Sequence, residues 1–296
     1  MKESIKEKLL LLLGSLFLVV LAGLLIYDLT RRGVYDVRMG MNIVVVGESG
    51  GVKLLLLRPE EDIVAWVSVP AKVKIKIFNS SASYPIGSLW SYGEAERQAF
   101  NVMEKSVGQT MGVVLAKTVK LNKGEQIEDV LGQLLSLTLK TNLSIKDRVL
   151  IRNLLSESLK SKKILEYSLP TTVFEEIVEP DGKEFAVFNT TISLWTKNKF
   201  IIEEILDENV DVSINNVSST SGLGTILAKQ LESVGARVVE VKADKEDVAE
   251  GGKECVYASI ENYEMTEKML TSQLGCAKVS WGSKEDEKGI KVWVKD

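Results

Sequence analysis

The chain has 296 residues, 45% of them hydrophobic and 26% charged, which describes globular material long enough for two ordinary domains. Its net charge is only -4 and its basic residues are spread along the chain, so the balance argues against a nucleic-acid partner. Histidine is absent, which removes Ser-His and Cys-His pairs and every His-based metal site and leaves carboxylate or lysine chemistry.

From Leu9 to Tyr27 the chain reads LLLLLGSLFLVVLAGLLIY. This uncharged run is about as long as the roughly 20 helical residues that cross a bilayer core, and it predicts one membrane-spanning helix. A cleaved signal peptide would have a shorter apolar region ending in a small-x-small site, whereas Ala22-Gly23 is followed by more Leu and Ile. Lys2, Lys6 and Lys8 precede the run and Arg31 and Arg32 follow it, so charge alone leaves the orientation open. Residues 1–39 are therefore expected to be a short tip, an anchor and a linker.

Residues 42 to 77 read as strands: NIVVVGE, VKLLLLRPE, DIVAWVSVP and KVKIKI. The last alternates strictly, with Lys72, Lys74 and Lys76 on one face and Val73, Ile75 and Ile77 on the other, the mark of a half-buried strand with a solvated lysine face. A helix is expected between Ser91 and a glycine cap at Gly108, then a strand VVLAKTVKL and a helix from Ile127 to Leu139. Ser144 followed by Asp147 caps a helix from Ile145 to Lys160 with Leu150, Ile151, Leu154, Leu155 and Leu159 on its apolar stripe. KILEYSLP reads as a strand, Pro180-Asp181-Gly182 as a turn between two β-prone runs, and Asn198 to Leu206 as a helix. The polar break Asp207-Glu208-Asn209 divides a mixed α/β layer domain at 40–206 from a second unit at 207–296.

The second unit runs VDVSINN, a helix from Leu223 to Val234, RVVEVKA, a polar loop, ECVYASI, a helix over Tyr263 to Leu274, AKVSW and a last strand GIKVWVKD. The order β-α-β-β-α-β is that of a split βαβ sandwich, and the fold class is α/β to α+β. Ser221 is read as the cap that opens the first helix and Gly235 as the glycine that closes it. Gly222-Leu223-Gly224 does not make a dinucleotide fingerprint, because position 227, where a third glycine belongs, is Leu, and there is no Walker lysine. No motif calls for a cofactor or metal. The polar residues Asn215, Asn216, Ser218, Ser219, Thr220 and Ser221, held between ordered elements, are the candidate contact surface for a ligand or partner. Cys255 and Cys276 are too few for a disulfide framework and lack CxxC spacing, so they read as two buried thiols. A single disulfide is the alternative if this part lies outside the cytoplasm, and it requires α-carbons within about 7 Å.

The pattern V-x-V-x-I-N-N-V-S-S-T-S-G-L-G-x-x-L-A-x-x-L-E-x-x-G-A-x-V from Val210 onward resembles the C-terminal domain of LytR-type envelope proteins. Asn215 matches that family's asparagine, Asn216 stands in place of its glycine, and Ser221, Gly222, Leu223, Ala228, Leu231 and Gly235 fit the rest. Upstream, the apolar run, NIVVVGES, WVSVP and SLWSYGEAE follow one another as in a remote LytR-CpsA-Psr domain. Those enzymes attach anionic glycopolymers from a polyprenyl-phosphate carrier to peptidoglycan, using arginines, aspartates and a divalent metal. After Ser-Val-Pro the family's Arg-Asp is replaced by Ala71-Lys72, and no aspartate follows Gly47. The resemblance therefore implies a membrane-anchored, extracytoplasmic protein that binds cell-wall polymer or envelope proteins without catalysis and carries no assigned catalytic residue. Its alternatives are a diverged glycopolymer transferase using Lys72 with carboxylates such as Glu48, and a bitopic assembly protein of the division or secretion type.

Overall fold

The structure, a computed structural model, describes residues 11–20, 22–23, 33–245, 253–280 and 289–295. Residues 11–20 are helical, with Leu11, Phe17 and Val19 exposed. Leu9, Leu10, Leu21 and Leu24 to Tyr27 of the expected span lie outside the described residues. Among the described residues no helix is long and apolar enough to cross a membrane.

The body is a mixed α/β fold built on three sheets. The first has six strands in the order β7-β6-β1-β2-β3-β8. Its centre is the antiparallel meander of β1 (Met41–Val46), β2 (Val52–Arg58) and β3 (Ile63–Val69). β6 (Lys117–Lys120) joins β1 in parallel and carries the edge strand β7 (Lys140–Thr141), while β8 (Ile164–Tyr167) joins β3 in parallel. Both faces of this sheet are covered. Val44, Val46, Leu54, Leu56 and Val67 face one core with Trp90, Met103 and Phe200, and Ile43, Val45, Leu55, Leu57 and Trp66 face another with Ile127, Ile151 and Leu155. That is why these strands read as unbroken apolar runs.

The second sheet, in the order β5-β4-β10-β9, closes the first core with Val73, Ile75 and Ala186. It comprises β4 (Val73–Lys76), β5 (Ser83–Pro85), β9 (Phe174–Val178) and β10 (Glu184–Phe188), the last two antiparallel around the expected Pro180-Asp181-Gly182 turn. Along β4 the alternation holds: Val73, Ile75 and Ile77 are buried, Lys72 and Lys76 are exposed, and Lys74 packs over Phe185.

Three helix expectations shift, two of them because a distant side chain takes backbone carbonyls. The segment after Ser83 forms α1 (Ile86–Ala95) and a second helix, α2, that runs Ala99–Asn101, continues as a π-helical segment Val102–Ser106 and ends as Val107–Met111. Arg97 breaks the pair at a φ of 56°, and the capping glycine is Gly112, not Gly108. α3 stops at Gln133 instead of Leu139 (Ile127–Gln133), because Arg148 draws the carbonyls of Leu134 and Ser136 to itself. Of the helix expected from Asn198 to Leu206 only the end is helical: α6 (Glu203–Glu208) follows α5 (Ile192–Lys197), and the two are parted by residues 198–202, where Arg58 holds the carbonyls of Phe200 and Ile201. Between them, α4 (Ile145–Ser161) begins as expected, with Ser144 accepting the Asp147 N–H.

The third sheet has the order β12-β11-β15-β13-β14. β11 (Asp211–Asn216), α7 (Leu223–Ser233) and β12 (Arg237–Lys242) form one parallel βαβ unit. β13 (Cys255–Ser259), α8 (Glu264–Ser272) and β14 (Ala277–Lys278) form another. The arrangement is not split within either unit: each pairs its own two strands, and the last strand, β15 (Ile290–Val294), joins them between β11 and β13. Gly235 closes α7 at a φ of 106°, with Ala236 N–H donating to Leu231 and Gly235 N–H to Glu232, the paired bonds of a Schellman end. The opening of α7 corrects the expectation for Ser221: the cap position is Gly222, at a φ of 87°, and no side chain bonds there.

Cys255 and Cys276 are joined in a disulfide with α-carbons 4.6 Å apart, in place of two buried thiols. It ties the start of β13 to the end of the α8 connection. Thiol alkylation should add no mass to the folded chain and two adducts only after reduction. Replacing both cysteines by serine should cost about 3 kcal/mol in chemical denaturation, the value for a loop of this size.

The third core, with Met39, Val114, Ile202, Ile205, Val212, Leu231, Met269 and Val292, takes side chains from both sides of the polar break. Arg58 binds the body together here. Its buried guanidinium donates to Asn42 Oδ1 (2.9 Å) and to the carbonyls of Leu57 (3.0 Å), Phe200 (2.9 Å) and Ile201 (2.9 Å). Arg58→Met removes four donors and leaves buried acceptors unpaired, which should lower stability by about 3 kcal/mol in urea unfolding and speed amide exchange at residues 202–206 first.

Candidate functional site

Where the structure places the sequence candidates is plain. Asn215 is fully buried, and its side chain makes a reciprocal pair with the backbone of Asp244, at 2.9 Å in each direction. Asn216 Oδ1 accepts from Ser218 N–H (3.2 Å) and Ser218 Oγ (2.6 Å), and its Nδ2 donates to the Thr220 carbonyl (3.0 Å). These three build the loop from within, while Ser219, Thr220 and Ser221 are exposed. The loop borders a cleft of about 360 Å³ that Lys242 and Lys245 also line. Gly224 serves packing: a Cβ there would stand 3.1 Å from Val241 and 3.2 Å from Asn216, so glycine lets α7 approach the sheet closely.

A larger cleft of about 440 Å³ opens at the β7 edge of the first sheet, between α1, α2 and β7. Its walls are Trp90, Ala99, Phe100 and Leu139, with Glu94, Arg97, Lys140 and Thr141 around them. Trp90 and Phe100 meet edge to face with centroids 5.4 Å apart. Trp90 is 5% exposed, and its indole N–H has no hydrogen-bond acceptor. It lies toward the Glu94 carboxylate and helps hold that charge without reaching hydrogen-bond geometry. Glu94 is itself held below the usual carboxylate range, chiefly by the Lys140 ammonium 2.6 Å away. Arg97 is exposed at the rim. The cleft thus combines an apolar floor, an unsatisfied donor and two cations.

Lys120, at the end of β6, connects this cleft with a group of loops. Burial pushes its ammonium down, Glu94 on the cleft side favours its charge, and Glu125 and Glu48 do so on the other. Its Nζ donates to the carbonyl of Gly47 and reaches that of Glu48 at 3.3 Å. In the same loops Ser49 donates to Glu125, and Gly124 N–H donates to Glu48 at 3.3 Å. Gly87, in the first turn of α1, packs where a Cβ would lie 3.5 Å from Ala71 and 3.7 Å from the Gly50 carbonyl. The loop that carries Glu48 and the loop that carries Lys72 therefore meet at the start of α1.

A divalent metal of the kind the resemblance implied does not fit this donor set. Glu48 and Glu125 are committed to Gly124 and Ser49, and among the described residues no group of three acidic, cysteine or histidine side chains could hold a metal ion. The sequence singled out Glu48 and Lys72 and quoted the SLWSYGEAE segment, but did not single out Trp90, Glu94, Arg97, Phe100, Lys120 or Lys140. Trp90 and Glu94 lie inside that quoted segment, so its pattern was the available signal for them.

No family model matches the chain, and no curated protein matches it. Solved structures similar to it include LytR-CpsA-Psr family proteins. The crystal structure of B. subtilis TagT is 14% identical, covering 55% of this chain and 91% of that one, with a TM-score of 0.41. The LytR-CPS2A-psr family protein YwtF (TagT) with bound octaprenyl pyrophosphate lipid is 13% identical over 53% of this chain and 88% of that one, at 0.39. The Lin1025 protein from Listeria innocua is 13% identical over 54% and 98%, at 0.40.

One carboxyl beside the cleft titrates near neutrality. Glu104, in the π-helical segment, is raised to about 7, first by burial, against the lowering effect of Asn142 (2.8 Å) and Thr118 (3.0 Å) donating to it. The folded form thus holds a proton that the unfolded form releases near 4.5, and stability should fall as pH rises from about 4.5 to about 7 and then level off. Glu104→Gln keeps an acceptor for both donors. It should flatten that slope and stabilise the protein above pH 7 by up to about 3 kcal/mol, measured as urea midpoints across pH.

Proposed function

We propose that this is a membrane-anchored protein of the outer membrane face, diverged from the LytR-CpsA-Psr pattern. In this reading it takes a polyprenyl-phosphate-linked anionic glycopolymer into the Trp90 cleft and passes it to peptidoglycan. The observation that carries the reading is the composition of the cleft. A prenyl phosphate has an apolar chain and an anionic head, and the cleft offers apolar walls at Trp90, Phe100 and Leu139 beside the cations Arg97 and Lys140, with Lys120 behind them.

The location has separate support. The run from Leu9 to Tyr27 has the length and composition of a single spanning helix, and it places residues 40–296 on one side of the membrane. The Cys255–Cys276 disulfide suits an oxidising compartment, which supports a reading in which that side faces away from the cytoplasm. The domain boundary at Asp207 and the LytR-type identity of the last unit belong to the same proposal. Ser219 to Ser221 and the cleft beside them are its second contact surface, for polymer or an envelope protein.

A second reading, binding without turnover, is favoured by Ala71-Lys72 in place of the family's Arg-Asp and by the poor fit of the donor set to a metal. The two separate in one experiment on the full chain in detergent. Polyprenyl phosphate should change tryptophan emission on binding, and Arg97→Ala with Lys140→Ala should weaken that binding about a hundredfold, the loss of two charge-assisted contacts of roughly 1.4 kcal/mol each. Polyprenyl pyrophosphate with a divalent metal should then be hydrolysed to polyprenyl phosphate and inorganic phosphate, water standing in for the peptidoglycan acceptor, if the site turns over. Binding without release selects the second reading, and no binding contradicts both.

A further inference from the structure

The loop between α3 and β7 presents leucines to solvent. Leu137 is 96% exposed and Leu135 is 49% exposed. Yet the loop is firmly held: Arg148 takes the carbonyls of Leu134 and Ser136, and Asn122 Nδ2 donates to Thr138 Oγ1 at 3.2 Å. A fixed loop that shows two leucines to water keeps an unfavourable surface, which a lipid phase would relieve.

The same place receives the chain from the anchor. Asp147, the neighbour of Arg148, accepts the backbone N–H groups of Val34 (3.2 Å) and Tyr35 (3.0 Å). From Tyr27 to Val34 is seven residues, so this point lies within roughly 25 Å of the end of the apolar run. Val37, just beyond, is 54% exposed, and Lys123, Lys146 and Arg152 are exposed cations, Lys146 flanking Asp147 and Arg152 one helical turn beyond Arg148 on α4. Exposed apolar residues with exposed cations on the same helix and loop suit an anionic lipid interface.

We propose that the 134–138 loop is a second membrane contact, with Leu135 and Leu137 seated in the lipid interface beside the anchor. Leu139 to Thr141, which follow directly, wall the Trp90 cleft, so this docking holds the mouth of the cleft at the bilayer. The inference rests on the anchor reading of Leu9 to Tyr27, and its occupant is the bilayer surface.

The full chain carrying Leu137→Cys has one free thiol, because Cys255 and Cys276 are joined. Labelled there with a polarity-sensitive fluorophore and reconstituted in phosphatidylglycerol–phosphatidylethanolamine vesicles, it should be quenched by nitroxide-bearing lipids at least fivefold more than the same label at Glu176→Cys on the exposed strand β9. Adding Leu135→Asp should reduce that quenching and leave flotation with vesicles unchanged. If the chain floats but the label at 137 is water-accessible, or is shielded without lipid quenching as under a second copy, the loop contact is overturned and the anchor stands. If the chain does not float, the anchor reading fails and this inference with it.

Discussion

A single buried guanidinium sets how the body is assembled. Arg58 ends β2 inside the protein, where burial pushes it down to about 10, still well above neutral pH, so it keeps its charge there. Glu61 and Glu204 lend distant support, and the direct partners are neutral oxygens on β1 and on the segment between α5 and α6. Asn42, which accepts from Arg58, donates in turn to the Val114 carbonyl. Burying such a charge is costly unless its donors are used, and here the donors hold residues 200 and 201 out of a helix. Phe200 then enters the core between the first two sheets and Ile202 the core of the third. Further ties follow the same seam, with Glu208 accepting from Met265 and Thr266 at the start of α8 and Gln273 donating to the Gly40 carbonyl.

The parts of the fold that could be read from sequence are those in which neighbours in the chain settle the matter. Strands buried on both faces give continuous apolar runs, as in Leu54 to Leu57. A cap three residues from its donor, as Ser144 is from Asp147, can be read locally, and so can a Pro-Asp-Gly turn. What could not be read depended on partners far away. Helix ends at Gln133 and Lys197 are set by Arg148 and Arg58, whose reach the local pattern does not contain. The central position of β15 is a fact of pairing, not of periodicity. Ser221 has the right type and spacing for a cap, and the φ of Gly222 removes it from that role.

The candidate site shows the same division. The loop from Asn215 to Ser221 could be picked out because it is polar between apolar elements, but three of its residues spend their hydrogen bonds on one another and on Asp244. The Trp90 cleft draws Trp90 and Phe100 from the helical segment and Leu139 to Thr141 from the β7 edge some forty residues on, so no single window contains it. Once assembled, it brings an apolar floor, an unpaired indole donor and cations together, and its Leu139 wall continues into the exposed leucines near the anchor. The loop and the cleft thus share the β7 edge of the first sheet.

The central claim is that the Trp90 cleft holds the prenyl-phosphate carrier, and photo-crosslinking tests it most directly. A short prenyl phosphate with a diazirine near its head, added to the full chain in lipid nanodiscs and mapped by peptide mass spectrometry, should mark peptides containing Trp90 to Phe100 and Leu139 to Thr141. Labelling confined to the Ser218–Thr225 cleft, or spread over the surface without preference, would contradict the account.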